Sequence, residues 1–407
     1  MQQMKTRYPF ELAPFYGLMF AYQAVYMANI NNYLLSVGLQ AHTVARVASI
    51  LPIVGAGGLF IFGRLGDRVR SKNILLIALI ILSAAMVLLL GRGSAVMGAG
   101  GDIAPLVVFI TIVLCAHAFV YMPTDPLLST ITLEALDRTK SSFGPIRAVG
   151  TVSFALTAAV IGFLIDDQWG RIIWMSAAAL ILCAASGLLL PKVAGHAREK
   201  KERIPLTVLL KNKSLMVMIC LSFFLMLSAS LFFSVFSMHL ASGAIVGGAL
   251  VGSRLVNIAS TVGAVAEVPF LIYADRIYKR IGVGAILLIA ALAISVRMTL
   301  IYFISNPYQI LATQILHGWG FIAIAFAMAK YINLVVPPQL KSAGQMLNAI
   351  IAVTCSRAIG SFTASYITEY MGMRENFLAG AAVAFISFIV FGIIIWKNPE
   401  MRTAGRE

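Results

Sequence analysis

The chain has 407 residues, 60% of them apolar and 12% charged, with 31 Lys and Arg against 16 Asp and Glu for a formal charge of +15. Soluble globular chains are about half apolar and about a quarter charged, so this composition excludes a soluble enzyme and a disordered chain. At about 20 residues per crossing, the apolar content suffices for twelve membrane helices.

In chain order, apolar runs fall at about 10–35, 44–62, 74–91, 105–133, 145–165 and 171–190, then at 215–240, 250–273, 283–304, 308–336, 342–369 and 377–396. Between the two sets lies the one long polar stretch of the sequence, 191–214, which contains Arg198-Glu-Lys-Lys-Glu-Arg203. The expected organisation is an N-terminal six-helix bundle over 1–190, a cytoplasmic linker over 191–214 and a C-terminal six-helix bundle over 215–407. No small-residue cleavage site follows the first apolar run, so no removable signal peptide is expected. Cys115, Cys183, Cys220 and Cys355 sit inside apolar runs without metal-ligand spacing and read as buried small side chains.

With the N-terminus inside, 22 of the 31 Lys and Arg lie at the inner ends of the spans and five at the outer ends. Basic loops stay cytoplasmic, which predicts cytoplasmic termini at both ends and residence in the inner membrane. The same distribution accounts for the high charge without a nucleic-acid partner.

The first run carries Tyr22, Tyr26, Asn29 and Tyr33 at i, i+4, i+7 and i+11, one helical face suited to stacking on a ring while hydrogen-bonding its edge. In the fourth run His117, Tyr121, Asp125, Ser129 and Thr132 form a polar stripe expected to line a cavity. Arg147, in the fifth run at a depth similar to Asp125, can offer a planar fork of donors to a carboxylate or hydroxyl-rich substrate, or pair with Asp125 to fix two helices. Lys330, near the inner end of the tenth run, reads as a snorkelling residue.

Charges within a span cost about 3 kcal/mol each on insertion scales and default to a functional reading. In the second half these are Glu267, Arg297, His317 and Arg357, with Asn257 and Ser260 on the face of the eighth run that carries Glu267. A carboxylate in a pocket of changing polarity suits a proton carrier, so Glu267 is the expected coupling residue, with Arg297, His317 and Arg357 around it. A nucleotide-binding glycine loop, a metal cluster and a nucleophile triad are all absent from the sequence, so neither enzyme chemistry nor a metal or cofactor is expected. Gly55-Ala-Gly-Gly58 fits close helix packing.

Two motifs repeat. Asp67-Arg68 recurs as Asp275-Arg276, an offset of 208, and Arg147-Ala-Val-Gly-Thr151 recurs as Arg357-Ala-Ile-Gly-Ser361, an offset of 210. Duplication of a six-helix unit explains both matches, and an even number of spans per unit makes the two halves parallel.

On these features the chain resembles the major facilitator superfamily. Its loop Gly63-Arg-Leu65-Gly-Asp67-Arg68-Val-Arg70-Ser-Lys72 is similar to that family's loop signature, with Arg70 where glycine is usual. Tyr121-Met-Pro-Thr124, Phe143-Gly-Pro-Ile-Arg147 with Gly150-Thr151, Ala266-Glu-Val-Pro269, Ser295-Val-Arg297 and Leu316-His317 resemble the branch that holds lactose permease, nucleoside proton symporters and phenylpropionate transporters. The resemblance implies that Arg147 faces substrate and that the loops at Gly63, Asp67, Arg68, Asp275 and Arg276 act as gates. Ser129 and Gly320 stand where lactose permease has its arginine-partnering and proton-carrying glutamates.

Together these readings predict an all-α membrane protein of twelve helices in two parallel six-helix repeats. Its expected function is secondary transport by a monomer: proton-coupled import of a small polar or aromatic metabolite such as a sugar, nucleoside or aryl carboxylate, by alternating access. Export of amphipathic drugs and a non-transporting membrane sensor are the alternatives. A Gly-Pro-x-x-Gly-Gly run, usual in drug antiporters of the superfamily, is missing from the fifth run.

Overall fold

The computed structural model describes residues 10–98, 103–139, 144–191, 193, 207–242, 245, 251–337 and 340–405. Most of the expected linker, 194–206, lies outside the described residues, as do the side chains of Asp67 and Arg147. Within that set the regular structure is helical, without a strand. In lipid every backbone N–H and C=O has to find a partner inside the protein, and a helix meets that demand locally.

The first membrane-length helices are α1 (Leu12–Ser36), α2 (Ala41–Arg68) and α3 (Lys72–Gly98). The fourth apolar run forms α4 (Ile103–Tyr121) and α5 (Thr124–Thr139), separated at Met122-Pro123. Proline lacks an N–H and disfavours helix at the residue before it, which accounts for the break. Then follow α6 (Gly144–Ile165), α7 (Arg171–Ser186), the short α8 (Thr207–Lys211) and α9 (Lys213–Ala241). A single helical stretch, α10 (Gly252–Phe303), covers 52 residues, yet Gly282 within it has φ +78° and ψ 170°. That backbone belongs to glycine, and it joins two helices corresponding to the eighth and ninth apolar runs.

The tenth run forms α11 (Pro307–Thr313), a 3₁₀ stretch (Gln314–Trp319) and α12 (Phe321–Val335), with Gly320 non-helical between the last two. The eleventh is α13 (Lys341–Asn348), a π-helical stretch (Ala349–Cys355) and α14 (Ser356–Tyr370); α15 (Glu375–Lys397) and α16 (Pro399–Thr403) complete the order. Ten helical stretches among the described residues are long and apolar enough to cross a membrane, α10 counting once, α4 with α5 counting once, and α1, though long enough, not among them.

Contacts divide the chain into two units, Met1–Leu39 with Ile53–Lys201 and Gln40–Pro52 with Glu202–Glu407. In the first, α1 lies against α6 and α7, and α3 against α4 and α7, around buried Tyr16, Met19, Tyr22, Leu76 and Ile80. In the second, α9 lies against α14 and α15, and α10 packs on the 3₁₀ stretch, α12, α15 and α16. The first part of α2, up to Pro52, joins this unit through Ala45, which packs with Leu231 and Ala364, and through Arg46, which donates to Glu369 at 2.7 Å.

The repeat seen in the sequence extends to packing. A Cβ on Gly150 would stand 2.7 Å from the Phe20 ring, and one on Gly360 would stand 2.6 Å from Ser230 Cβ. Phe20 and Ser230 are themselves 210 apart, so α6 meets α1 as α14 meets α9, at the same register.

Candidate functional site

In the first unit, four rings from α1 and α4 converge. Tyr22 and Tyr26, one turn apart on α1, stack at 5.3 Å between centroids, and His117 and Tyr121, one turn apart on α4, stack at 5.4 Å. The two pairs interlock, with Tyr26 to His117 at 5.0 Å and Tyr22 edge-on to Tyr121 at 4.9 Å. Tyr22 Oη lies 2.8 Å from His117 Nε2, and Gln23 Nε2 donates to Tyr121 Oη at 3.2 Å. All four rings are buried within this unit. Fixed rings with polar tips can sandwich a flat face and hydrogen-bond its edge.

Other residues of the expected stripes lie around this cluster. Asn29 is fully buried and donates to Val25 O at 2.9 Å, and Tyr33 hydrogen-bonds Ser94. Beyond the break at Pro123 the fourth-run stripe changes surroundings: Asp125 is exposed, Ser129 half-buried, and Thr132 buried with its hydroxyl 3.1 Å from Tyr16 Oη. Gly63 has open space where a side chain would stand, and Arg64 lies 3.9 Å over the Phe60 ring. Arg68 closes α2.

The second unit holds a chain of charged and polar groups. Glu267 Oε1, on the first part of α10, is 3.4 Å from His317 Nε2 on the 3₁₀ stretch. On its other side His317 Nδ1 is 3.0 Å from a terminal nitrogen of Arg297, which sits on the second part of α10. The other terminal nitrogen of Arg297 donates to Gln314 Oε1 at 2.5 Å. Beneath the guanidinium are Phe232 at 4.3 Å and Phe236 at 5.9 Å, both from α9. Arg297 is 7% exposed, so its charge is balanced by cation–π attraction and neutral acceptors.

Glycines create the room for this arrangement. A Cβ on Gly263 would approach His317 Cδ2 to 3.2 Å, and one on Gly318 would stand 2.0 Å from the Ala266 carbonyl oxygen. A larger residue at 263 would press on the imidazole itself, and one at 318 would press its segment off the α10 backbone.

Asn257 is fully buried and donates to Ser253 O at 2.8 Å. Arg357 is an exposed residue whose carbonyl accepts from Ser230 Oγ at 3.1 Å. The π-helical stretch just before it changes the register that a regular helix would give. At the repeated Asp-Arg motif, Asp275 pairs with Lys330 at 2.7 Å, and Arg276 lies 5.9 Å from the Tyr273 ring. Lys330, expected to snorkel, is thus an ion-pair partner whose ammonium also rests 5.5 Å from Tyr278 and 5.4 Å from Phe326.

Gln23, Gln314, Phe232 and Phe236 belong to these clusters although the sequence reading passed over them. For the two phenylalanines a signal existed: adding the repeat offset of 210 to Tyr22 and Tyr26 gives Phe232 and Phe236. Each unit thus sets a pair of rings, one turn apart on its first long helix, against an ionisable side chain.

Comparison with known proteins agrees with this architecture. The model of the MFS_1 like family matches residues 10–379. Maltose permease of Geobacillus stearothermophilus is 27% identical over 403 residues, covering 96% of this chain and 93% of that protein. Xanthosine permease of Escherichia coli (strain K12) is 22% identical over 318 residues, 71% of this chain and 75% of that one. Among solved structures, the nucleoside transporter NupG superposes with a TM-score of 0.82 at 16% identity, over 96% of this chain and 99% of that one, and its D323A mutant with 0.84. A POT family transporter in complex with 5-aminolevulinic acid superposes with a TM-score of 0.69 at 12% identity, over 96% of each chain.

Proposed function

The chain belongs to the MFS_1 like family, and from that membership we propose that it imports a sugar or nucleoside together with protons by alternating access. It is a multi-pass membrane protein and a secondary transporter. Substrate, direction and coupling ion are the added steps.

The observation that carries the proposal is the Glu267, His317, Arg297 chain in the second unit. A symporter needs a group that binds a proton in one state and releases it in another. Glu267 is half-buried, and its imidazole neighbour is itself tied to a cation. Any motion that separates the three takes the carboxylate away from its imidazole neighbour. In the first unit the Tyr22, Tyr26, His117 and Tyr121 cluster, with Gln23 at its edge, supports recognition of a ring with polar edges. Similarity to maltose permease and xanthosine permease favours sugars and nucleosides over the aryl carboxylates.

The remaining assignments follow the same reading. Twelve spans form two parallel halves over 1–190 and 215–407, joined by the 191–214 linker, with both termini in the cytoplasm of an inner-membrane monomer. Asp125 and Arg147 contact substrate, with Asn29 and Asn257 adding polar groups, and the loops at Gly63, Asp67, Arg68, Asp275 and Arg276 gate the inner side. Arg357 tunes the coupling half.

A thermal-shift panel on purified protein tests the substrate class, because a ligand that binds the folded state stabilises it by about 2.7 kcal/mol at a hundred times its Kd. Maltose and related disaccharides, or nucleosides such as xanthosine, should raise the melting temperature. A response to lipophilic cations alone would overturn the importer reading.

A further inference from the structure

Gln314 is 2% exposed and sits one turn before His317. Its amide nitrogen donates to Ile310 O and to Thr313 Oγ1, both at 3.2 Å, so its orientation is fixed by its own helical turn. That leaves Oε1 as the acceptor facing Arg297, at 2.5 Å. A guanidinium has donors and no acceptor, so the nitrogen of His317 that meets it must carry a lone pair. Nδ1 is that nitrogen, at 3.0 Å, which puts the imidazole proton on Nε2, the atom 3.4 Å from the Glu267 carboxylate.

We infer that Gln314 is a positioning residue: by holding the Arg297 guanidinium against Nδ1 it keeps His317 neutral, with its single ring proton directed at Glu267. The charged groups in contact with the imidazole are Glu267 from the first part of α10 and Arg297 from the second. The neighbouring α9 presents Phe233, edge-on at 6.0 Å, and Phe321 of α12 lies edge-on to Phe233 at 6.2 Å. Neither ring competes for a ring nitrogen. With both nitrogens committed, His317 takes a second proton only if Arg297 leaves, and the exchangeable proton is confined to Glu267. This last consequence rests on the proton-coupling reading; the tautomer assignment does not.

Two measurements separate them. The first is the ¹⁵N spectrum of histidine-labelled full-length protein in liposomes at pH 7, with His317 assigned among the five histidines by its loss in His317→Gln. Wild type should show one protonated Nε2 and one unprotonated Nδ1. Gln314→Leu, which removes the acceptor at similar volume, should give mixed tautomers, while Gln314→Glu, which keeps an acceptor oxygen, should restore the wild-type pattern. Unchanged His117 signals, from the other unit, show that the fold survives. If Gln314→Leu does not fold, Arg297→Lys, which cannot span both acceptors, makes the same test. A wild-type Nδ1–H tautomer, a doubly protonated ring, or a Gln314→Leu spectrum identical to wild type would overturn the inference.

The second measurement is flux in proteoliposomes with maltose and xanthosine. Gln314→Leu should lose about tenfold in accumulation driven by a pH gradient and keep equilibrium exchange within about twofold. Mixed tautomers with undiminished accumulation would leave the positioning role standing and remove the coupling reading.

Discussion

Gly318 meets Ala266 backbone to backbone: a Cβ at 318 would stand 2.0 Å from the Ala266 carbonyl oxygen and 3.1 Å from Glu267 N. This approach draws the 3₁₀ stretch onto α10 and sets His317 beside Glu267. Gly318→Ala forces the two segments apart, with no flexible side chain to absorb the change. We expect a loss of about 1–3 kcal/mol in stability and loss of gradient-driven uptake, read from melting in detergent and from flux. A stable variant with wild-type uptake would show that the close approach is dispensable.

Tyr22→Phe removes the hydroxyl 2.8 Å from His117 Nε2 and leaves a buried imidazole nitrogen without that partner. The expected cost is about 1–3 kcal/mol in stability, with a raised KM for substrate. Tyr121→Phe should be milder, because its partner Gln23 is half-buried and can turn to water. Equal effects from the two variants would contradict this difference in burial.

Arg147→Lys and Asp125→Asn should abolish uptake while folded protein remains in the membrane, since a planar fork or a charged acceptor is lost. Western quantification and fluorescence-detected size exclusion check the folded fraction. Retained uptake in Arg147→Ala would reduce that residue to a structural one.

Reporter fusions within 191–214 and at the C-terminal tail should report cytoplasm, while fusions at Asp166-Asp167-Gln168 should report the outside. The latter segment is a turn between α6 and α7, where Asp166 and Asp167 have φ of +46° and +58°. An external C-terminus would contradict the twelve-span arrangement.

Helix positions were legible in the sequence because apolar runs, Gly/Pro punctuation and charge asymmetry all act locally. Tyr22 with Tyr26, and His117 with Tyr121, were legible as four-residue spacings on unbroken helix. The spacing from Tyr121 to Asp125 crosses the break at Met122-Pro123, and Asp125 beyond it is exposed. Glu267, Arg297 and His317 stood out as charges or imidazole inside apolar runs. Gln314, neutral and in the same run as His317, did not, although a buried amide in such a run has to be satisfied by something. The irregular backbone of the tenth and eleventh runs was out of reach: a 3₁₀ stretch ending at Gly320 and a π-helical stretch before Ser356 depend on tertiary packing. Both alter which side chains face the site.

If Glu267 carries the coupled proton, Glu267→Gln separates exchange from coupling. Glutamine mimics the protonated carboxyl, so the variant should still bind substrate and exchange it at equilibrium across proteoliposome membranes. Uphill accumulation driven by a pH gradient should vanish. If Glu267→Gln still concentrates substrate against its gradient, the proton is carried elsewhere and the account is contradicted.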